Sequence, residues 1–340
     1  MTPIQTEQPP YKVMAIYKFA DLPDAQAIQP VLAALCSSSG IKGTLILAPE
    51  GINGTVAGSA AAIDALADWL FAGAMLRGRL DGAEVKYSTA ADMPFLRMKV
   101  RLKPEIVTLR APEANPAKRV GTYVEAQDWN GLIARNDVVL VDTRNDYEVG
   151  LGTFRQALDP GTQNFTEFKH YVETHLDPQR DKKVAMFCTG GIRCEKASSY
   201  LLSKGFDEVF HLKGGILRYL EVVPEEESRF AGKCFVFDER VSVGHGLVEG
   251  DATLCRACRH PLTAGDRADP AYAEGVACPY CAGDEAKHAA AVERQKQMDL
   301  ARRRGGAHLG DAAAQAAAAA KARKRQQAEQ SRAQNKAGRA

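Results

Sequence analysis

The sequence predicts an α/β protein in three parts, and three observations lead there. Residues 11–110 alternate strand and helix signals, and residues 122–227 do so again beyond a connector rich in proline. Two Cys-x-x-Cys pairs then occupy a stretch too small to fold alone. A chain of 340 residues is long enough for two or three domains, each with its own core. The expected boundaries are residues 1–110, a linker at 111–121, a second domain at 122–230, a cysteine-rich segment at 231–285 and a tail at 286–340.

In the first part, residues 11–19 form a β-rich run. A helical pattern follows over 24–35, where Pro30 threatens a kink. Strands at 43–47 and 54–57 flank the turn Ala48-Pro49-Glu50-Gly51-Ile52-Asn53. A second helix covers 60–71, and strands follow near 84–87 and 95–102. The β-α-β-β-α-β order predicts a ferredoxin-like α+β sandwich. In its last strand Lys99 and Arg101 alternate with Val100 and Leu102, so one face is basic. Such a face is open between an ordinary solvated surface and a groove for RNA.

Residues 103–117 hold three prolines and read as connector. The short strands and helices beyond predict an open parallel sheet, whose active site should lie beyond the carboxyl ends of its strands. Asp142 and Arg144 follow one strand end. They read as loop-ordering residues, joined by hydrogen bonds and by an ion pair to Glu148 or another acid.

Cys188 follows another strand end. The apolar run Lys183-Val184-Ala185-Met186-Phe187 leads into Cys188-Thr189-Gly190-Gly191-Ile192-Arg193-Cys194, and a helical stretch at 195–204 comes next. A strand that turns through glycines into a helix start gathers backbone N–H groups and the positive end of the helix dipole around one point. A thiol there ionises below its free value of ~8.5, and Arg193 adds a full positive charge. Thr189, Gly190, Gly191 and Ile192 are the expected anion cradle, with Cys188 and Arg193 as its chemical pair. Cys-x4-Arg is one residue tighter than the Cys-x5-Arg phosphate loop, which suits a small group carried on sulfur. Cys194 is open between a resolving thiol and a packing residue.

These residues resemble the active-site loop of a rhodanese domain. Val138-Val139-Leu140-Val141-Asp142-Thr143-Arg144 is similar to that domain's early strand and turn, and Val209 to Ile216 to its late strand and Gly-Gly turn. The run from Phe187 through Cys194 to Glu195-Lys196 is closer still to the signature of the bacterial tRNA uridine hydroxylases. Asp142-Thr143-Arg144-Asn145-Asp146-Tyr147-Glu148 is similar to theirs too. The resemblance spans about residues 11 to 283. It implies a substrate-binding N-terminal domain, a rhodanese-like open parallel sheet and a cysteine-rich C-terminal segment. It also implies oxygen-dependent hydroxylation of the tRNA wobble uridine to 5-hydroxyuridine, with molecular oxygen as co-substrate and an unnamed electron donor. The target base would lie in the single-stranded anticodon loop; DNA and membranes are not expected partners. The alternative is a sulfurtransferase that moves sulfane sulfur through a Cys188 persulfide.

Cys255-x-x-Cys258 and Cys278-x-x-Cys281 are separated by nineteen residues, a spacing that predicts a closed four-cysteine zinc site of structural type. His260 and His288 are weaker substitute ligands. Cys36 reads as core, and Cys234 belongs to no motif. Eight cysteines in this length are not disulfide-dense and point to a reducing compartment. No basic-apolar signal opens the chain, and no apolar run approaches the ~20 residues that cross a bilayer, so a soluble, cytoplasmic protein is expected. The net charge of +2 divides unevenly. Residues 286–340 carry 13 Lys and Arg against 4 Asp and Glu, leaving 31 against 38 for the rest. This basic, Ala-rich tail is expected to be disordered or a lone helix, either touching RNA or merely solubilising.

Overall fold

The computed structural model describes residues 11–303, apart from 91, 92, 96, 239 and 290. The first domain runs β1 (Tyr11–Phe19), α1 (Ala25–Ser38), β2 (Lys42–Ala48), β3 (Gly51–Gly58), α2 (Ala60–Ala72), β4 (Glu84–Ala90) and β5 (Met98–Leu102). The five strands lie in the order β4-β1-β3-β2-β5, with β5 parallel to β2 and the other pairs antiparallel. The first four make the ferredoxin-like order, and β5 extends it along the β2 edge. Met14, Ile16, Leu45, Leu47, Ile52 and Val56 face α1 and α2 in one fully buried core. Helix α1 continues through Pro30 to Ser38. Proline costs one backbone hydrogen bond, and Ile28, Leu32 and Cys36 on the buried stripe hold the helix together across it. The turn between β2 and β3 is tighter than expected, because β3 begins at Gly51.

Period-two alternation leaves the opposite face of this sheet without helices. Register places Lys86, Ala15, Thr55, Thr44 and Lys99 in one row across it, and Glu84, Tyr17, Asn53, Ile46 and Arg101 in the next. Part of this face meets the second domain, whose four parallel strands lie in the order β6 (Thr122–Val124), β10 (Glu208–Leu212), β9 (Lys183–Phe187), β7 (Val139–Asp142). Its helices are α3 (Ala126–Ile133), α4 (Asp146–Val149), α5 (Phe168–His175), α6 (Ile192–Ser203) and α7 (Gly215–Val222), and β8 (Gly152–Phe154) pairs with β11 (Phe230–Gly232).

The connector is packed rather than loose. Ile106, Leu109, Ala111 and Ala114 are buried, and Glu105 accepts hydrogen bonds from the Leu109 and Arg110 amides. From α6, Lys196 reaches Glu50 of the first domain at 2.8 Å and Glu105 of the connector at 2.5 Å, and is itself 1% exposed. The C-terminal part carries two ribbons, β12 (Cys234–Phe235) with β13 (Ser242–Val243) and β14 (Thr253–Leu254) with β15 (Pro261–Leu262). Helices α8 (Ala264–Ala268), α9 (Glu285–His288) and α10 (Ala291–Arg303) follow. The start of the basic tail is therefore helical, and residues 304–340 lie outside the described residues. No described helix is long and apolar enough to cross a membrane.

Candidate active site and metal centre

Strand β9 delivers Cys188 into the turn, and α6 begins at Ile192, three residues earlier than the sequence suggested. Arg193 and Cys194 thus belong to the helix's first turn. Gly191 makes this possible with φ +106°, a conformation L side chains rarely adopt. A Cβ at Gly191 would also stand 2.8 Å from the Tyr17 hydroxyl of β1. The Gly214-Gly215 turn closes the other side, where Ile216 N–H donates to the Cys188 carbonyl at 2.9 Å.

The Cys188 sulfur accepts a hydrogen bond from Gly191 N–H at 3.1 Å. Burial alone would push this thiol up. The Cys194 thiol, the Arg193 guanidinium and the Cys194 and Gly191 amides outweigh it, bringing Cys188 down to about 5. Cys194 moves oppositely: burial and its bond to Cys188 hold its proton on, and its sulfur also lies 3.5 Å from the Thr143 hydroxyl. Cys188 is thus a buried thiolate with a neighbouring thiol as donor.

The expected cradle is smaller than four residues. Among the described bonds, only Gly191 of Thr189, Gly190, Gly191 and Ile192 donates a backbone N–H to the sulfur. The Thr189 hydroxyl instead donates to Glu148 at 3.2 Å. Arg193 is no free anion receptor either. Its two terminal nitrogens grip Glu148 at 2.6 and 2.7 Å, both side chains are almost wholly buried, and the guanidinium acts on Cys188 through space. The acid paired with Arg144 is Asp142, at 2.6 Å with both side chains fully buried. Arg144 reaches only the Glu148 backbone. Burial opposes ionisation of Glu148, but Arg193 overcomes it and keeps the carboxyl below its usual range.

Several neighbours of the loop carry no sequence signal. Tyr17 donates to Glu195 at 2.9 Å, and Lys86 of β4 donates to the Gly214 carbonyl at 2.5 Å. Burial raises Glu195 above the ordinary carboxyl range although Tyr17 and Tyr123 hydrogen-bond to it. Cys234 stands beside Thr189 and Arg144, pushed up to about 12 by burial. A period-two pattern marks Tyr17 and Lys86 as facing one side of a sheet, but only the docked domains reveal that this side covers Cys188. A cleft of about 810 Å³ also opens at the domain junction, walled by Pro49, Glu50, Pro104, Glu105 and Lys196. It contains no residue of the 188–191 turn and is the flank of the interface rather than the mouth of the site.

The four cysteines of the two Cys-x-x-Cys pairs converge, all sulfurs lying within 4.8 Å of one another. Contacts of 3.7 Å (Cys258–Cys278, Cys278–Cys281) and 4.0 Å (Cys255–Cys281) match the ~3.8 Å edge of a tetrahedron built on ~2.3 Å zinc–sulfur bonds. The set fits a metal ion with every coordination position filled. Neither histidine joins it: His260 bonds to the Pro261 carbonyl and stacks on Tyr280, and His288 bonds to the Cys281 carbonyl.

An activated cysteine on a parallel strand, turning through glycines into a helix, defines a rhodanese-domain protein here fused to an acylphosphatase-like sandwich. Residues 125–221 match the rhodanese-like domain family, and residues 11–106 match the UPF0176 acylphosphatase like domain. The tRNA uridine(34) hydroxylase of Mesorhizobium japonicum is 57% identical over 307 residues, covering 90% of this chain and 98% of that protein. That of Brucella anthropi is 55% identical, covering 88% and 98%. The chain belongs to the tRNA uridine(34) hydroxylase family.

Proposed function

We propose that this protein hydroxylates the wobble uridine of tRNA at C5, with Cys188 as the nucleophile and molecular oxygen as co-substrate. The observation that carries the reading is the stabilised Cys188 thiolate facing the first domain, whose sheet presents a basic, helix-free face. Uracil C5 is not reactive toward oxygen by itself. A thiolate that adds to C6 moves the π electrons onto C5 and the C4 carbonyl oxygen, and so splits one hard step into two. Gly191 N–H and the Cys194 thiol hold the sulfur anionic until it attacks. Arg193, fixed by Glu148, supplies the local positive field. Cys194 is placed to condense with a Cys188 sulfenic acid, giving a disulfide and water, and an external thiol would then reduce that disulfide.

The RNA would lie across the first domain. Lys42, Lys99 and Arg101 border Thr44 and Thr55 on the helix-free face, and Arg97 and Arg101 crowd Lys99 enough to help lower its affinity for a proton, though burial contributes first. A row of cations with intervening hydroxyls suits a phosphate backbone. The four-cysteine cluster would hold zinc, which would fix the C-terminal ribbons as a unit without taking part in chemistry. A tRNA substrate would place the protein in the cytoplasm.

The test is nucleoside analysis of tRNA from cells lacking this protein, complemented with wild type or Cys188→Ser. Restoration of 5-hydroxyuridine by wild type alone is the expected result. Persistence of 5-hydroxyuridine in the deletion strain, with thiosulfate cyanolysis lost, would replace the reading with sulfur transfer.

A further inference from the structure

The first domain contributes a cation to the Cys188 site. We propose that Lys86 is a catalytic residue, its ammonium stabilising the negative charge that appears on the uracil C4 oxygen when Cys188 adds to C6. The inference rests on the hydroxylase reading above and names a residue that reading does not need.

Three observations carry it. Lys86 lies on the helix-free face of β4, beside Ala15 in register and diagonal to Tyr17. Tyr17 touches Gly191, and Lys86 touches Gly214, so both side chains stand on the two glycine turns that enclose the sulfur. Lys86 also forms no ion pair among the described residues. Glu84 and Glu221 act on it only at a distance, as does the Cys188 thiolate, and burial is the largest influence, weakening its hold on its proton. Its hydrogen-bond acceptor is a neutral backbone carbonyl, Gly214 O, at 2.5 Å. A uracil carbonyl is an acceptor of the same kind and can take that place one for one.

The step balances without any further reagent. The Sγ–C6 bond forms, the C5=C6 π pair moves to give a C4 enolate, and the ammonium donates a hydrogen bond to the oxygen that now bears the charge. A half-buried cation in no ion pair among the described residues gains most as that charge grows, which favours the transition state over the neutral base.

The experiment compares wild type, Lys86→Met, Lys86→Arg and Cys188→Ser on purified tRNA, reading kcat and KM for 5-hydroxyuridine formation. In parallel, the Cys188 thiolate is titrated by its ultraviolet absorbance. Lys86→Met should lower kcat about 100-fold or more, in the range found for removing one oxyanion donor. KM for tRNA should stay within about twofold, Lys86→Arg should recover at least about a tenth of the rate, and the thiolate titration should keep its midpoint. An unchanged kcat, a loss confined to KM, or a rate loss matched by a shifted thiolate midpoint would each overturn the proposal. Failure of the underlying reading has a different signature: active Cys188→Ser, or no 5-hydroxyuridine from wild type, would remove both together.

Discussion

The molecule contains two sulfur sites that solve opposite problems. At Cys188 the protein itself stabilises one sulfur anion, with an amide, a thiol and a guanidinium aimed at it from within the chain. At Cys255, Cys258, Cys278 and Cys281 the four sulfurs instead face one another, all within 4.8 Å. The first arrangement leaves an electron pair available for reaction. The second could hold an imported cation and, once filled, would have no position left for a substrate. What distinguishes the two sets of cysteines is therefore what surrounds each sulfur, not how buried it is.

The contrast breaks most sharply by deletion. Cys188→Ser should abolish product formation while leaving the metal content of the four-cysteine cluster unchanged. Cys278→Ser should do the reverse in the C-terminal ribbons, with loss of about one zinc per chain by elemental analysis and early proteolysis there. Full activity in Cys188→Ser, or metal-free wild type purified without chelator, would erase the distinction.

Next in size is the ion pair behind the loop. Glu148→Gln leaves Arg193 buried without its counter-charge, and breaking such a pair costs about 3–5 kcal/mol. Denaturant unfolding should show it as a large fall in midpoint, and a shift under about 1 kcal/mol would mean that Arg193 finds water instead. Arg193→Ala should raise the Cys188 midpoint, since it removes a charge that favours the thiolate.

A pH titration sharpens the comparison further. The wild-type minus Cys188→Ser thiolate absorbance should rise with a midpoint near 5. The folded value lies below the unfolded ~8.5, so the stability this thiolate contributes is fully present above the unfolded value and is lost as pH falls through about 5. A midpoint near 8.5 would show that the loop does not activate its sulfur. The smallest expected effect is on the basic face of the first domain's sheet. Lys99→Glu with Arg101→Glu should weaken tRNA binding and flatten its salt dependence, leaving the Cys188 titration unmoved.

The loop, the two Cys-x-x-Cys pairs and the order of strands and helices were legible in the sequence, because each depends on neighbours within a few residues or on a periodic pattern. The helix start at Ile192 was not, since it depends on Gly191 adopting a left-handed turn next to Tyr17, about 170 residues away. The sequence left open which acid pairs with Arg144, for a related reason. Arg144 is close in sequence, but Asp142 reaches it first, and Arg193 comes to Glu148 from another strand end. Tyr17, Lys86 and Cys234 were invisible as site residues, because no local pattern says which face of one domain will cover another.

Lys196 gives the domain arrangement a consequence for how such a protein can change. Its ammonium is sealed in the second domain's helix, yet both of its counter-charges come from outside that domain, from Glu50 and Glu105. Excised and grafted onto a different partner, that helix would carry an orphaned cation into an apolar setting. The rhodanese-like half is thus not an interchangeable cassette: descent should have kept the two halves as a single inherited block, with any replacement at position 196 accompanied by matching change at 50 and 105.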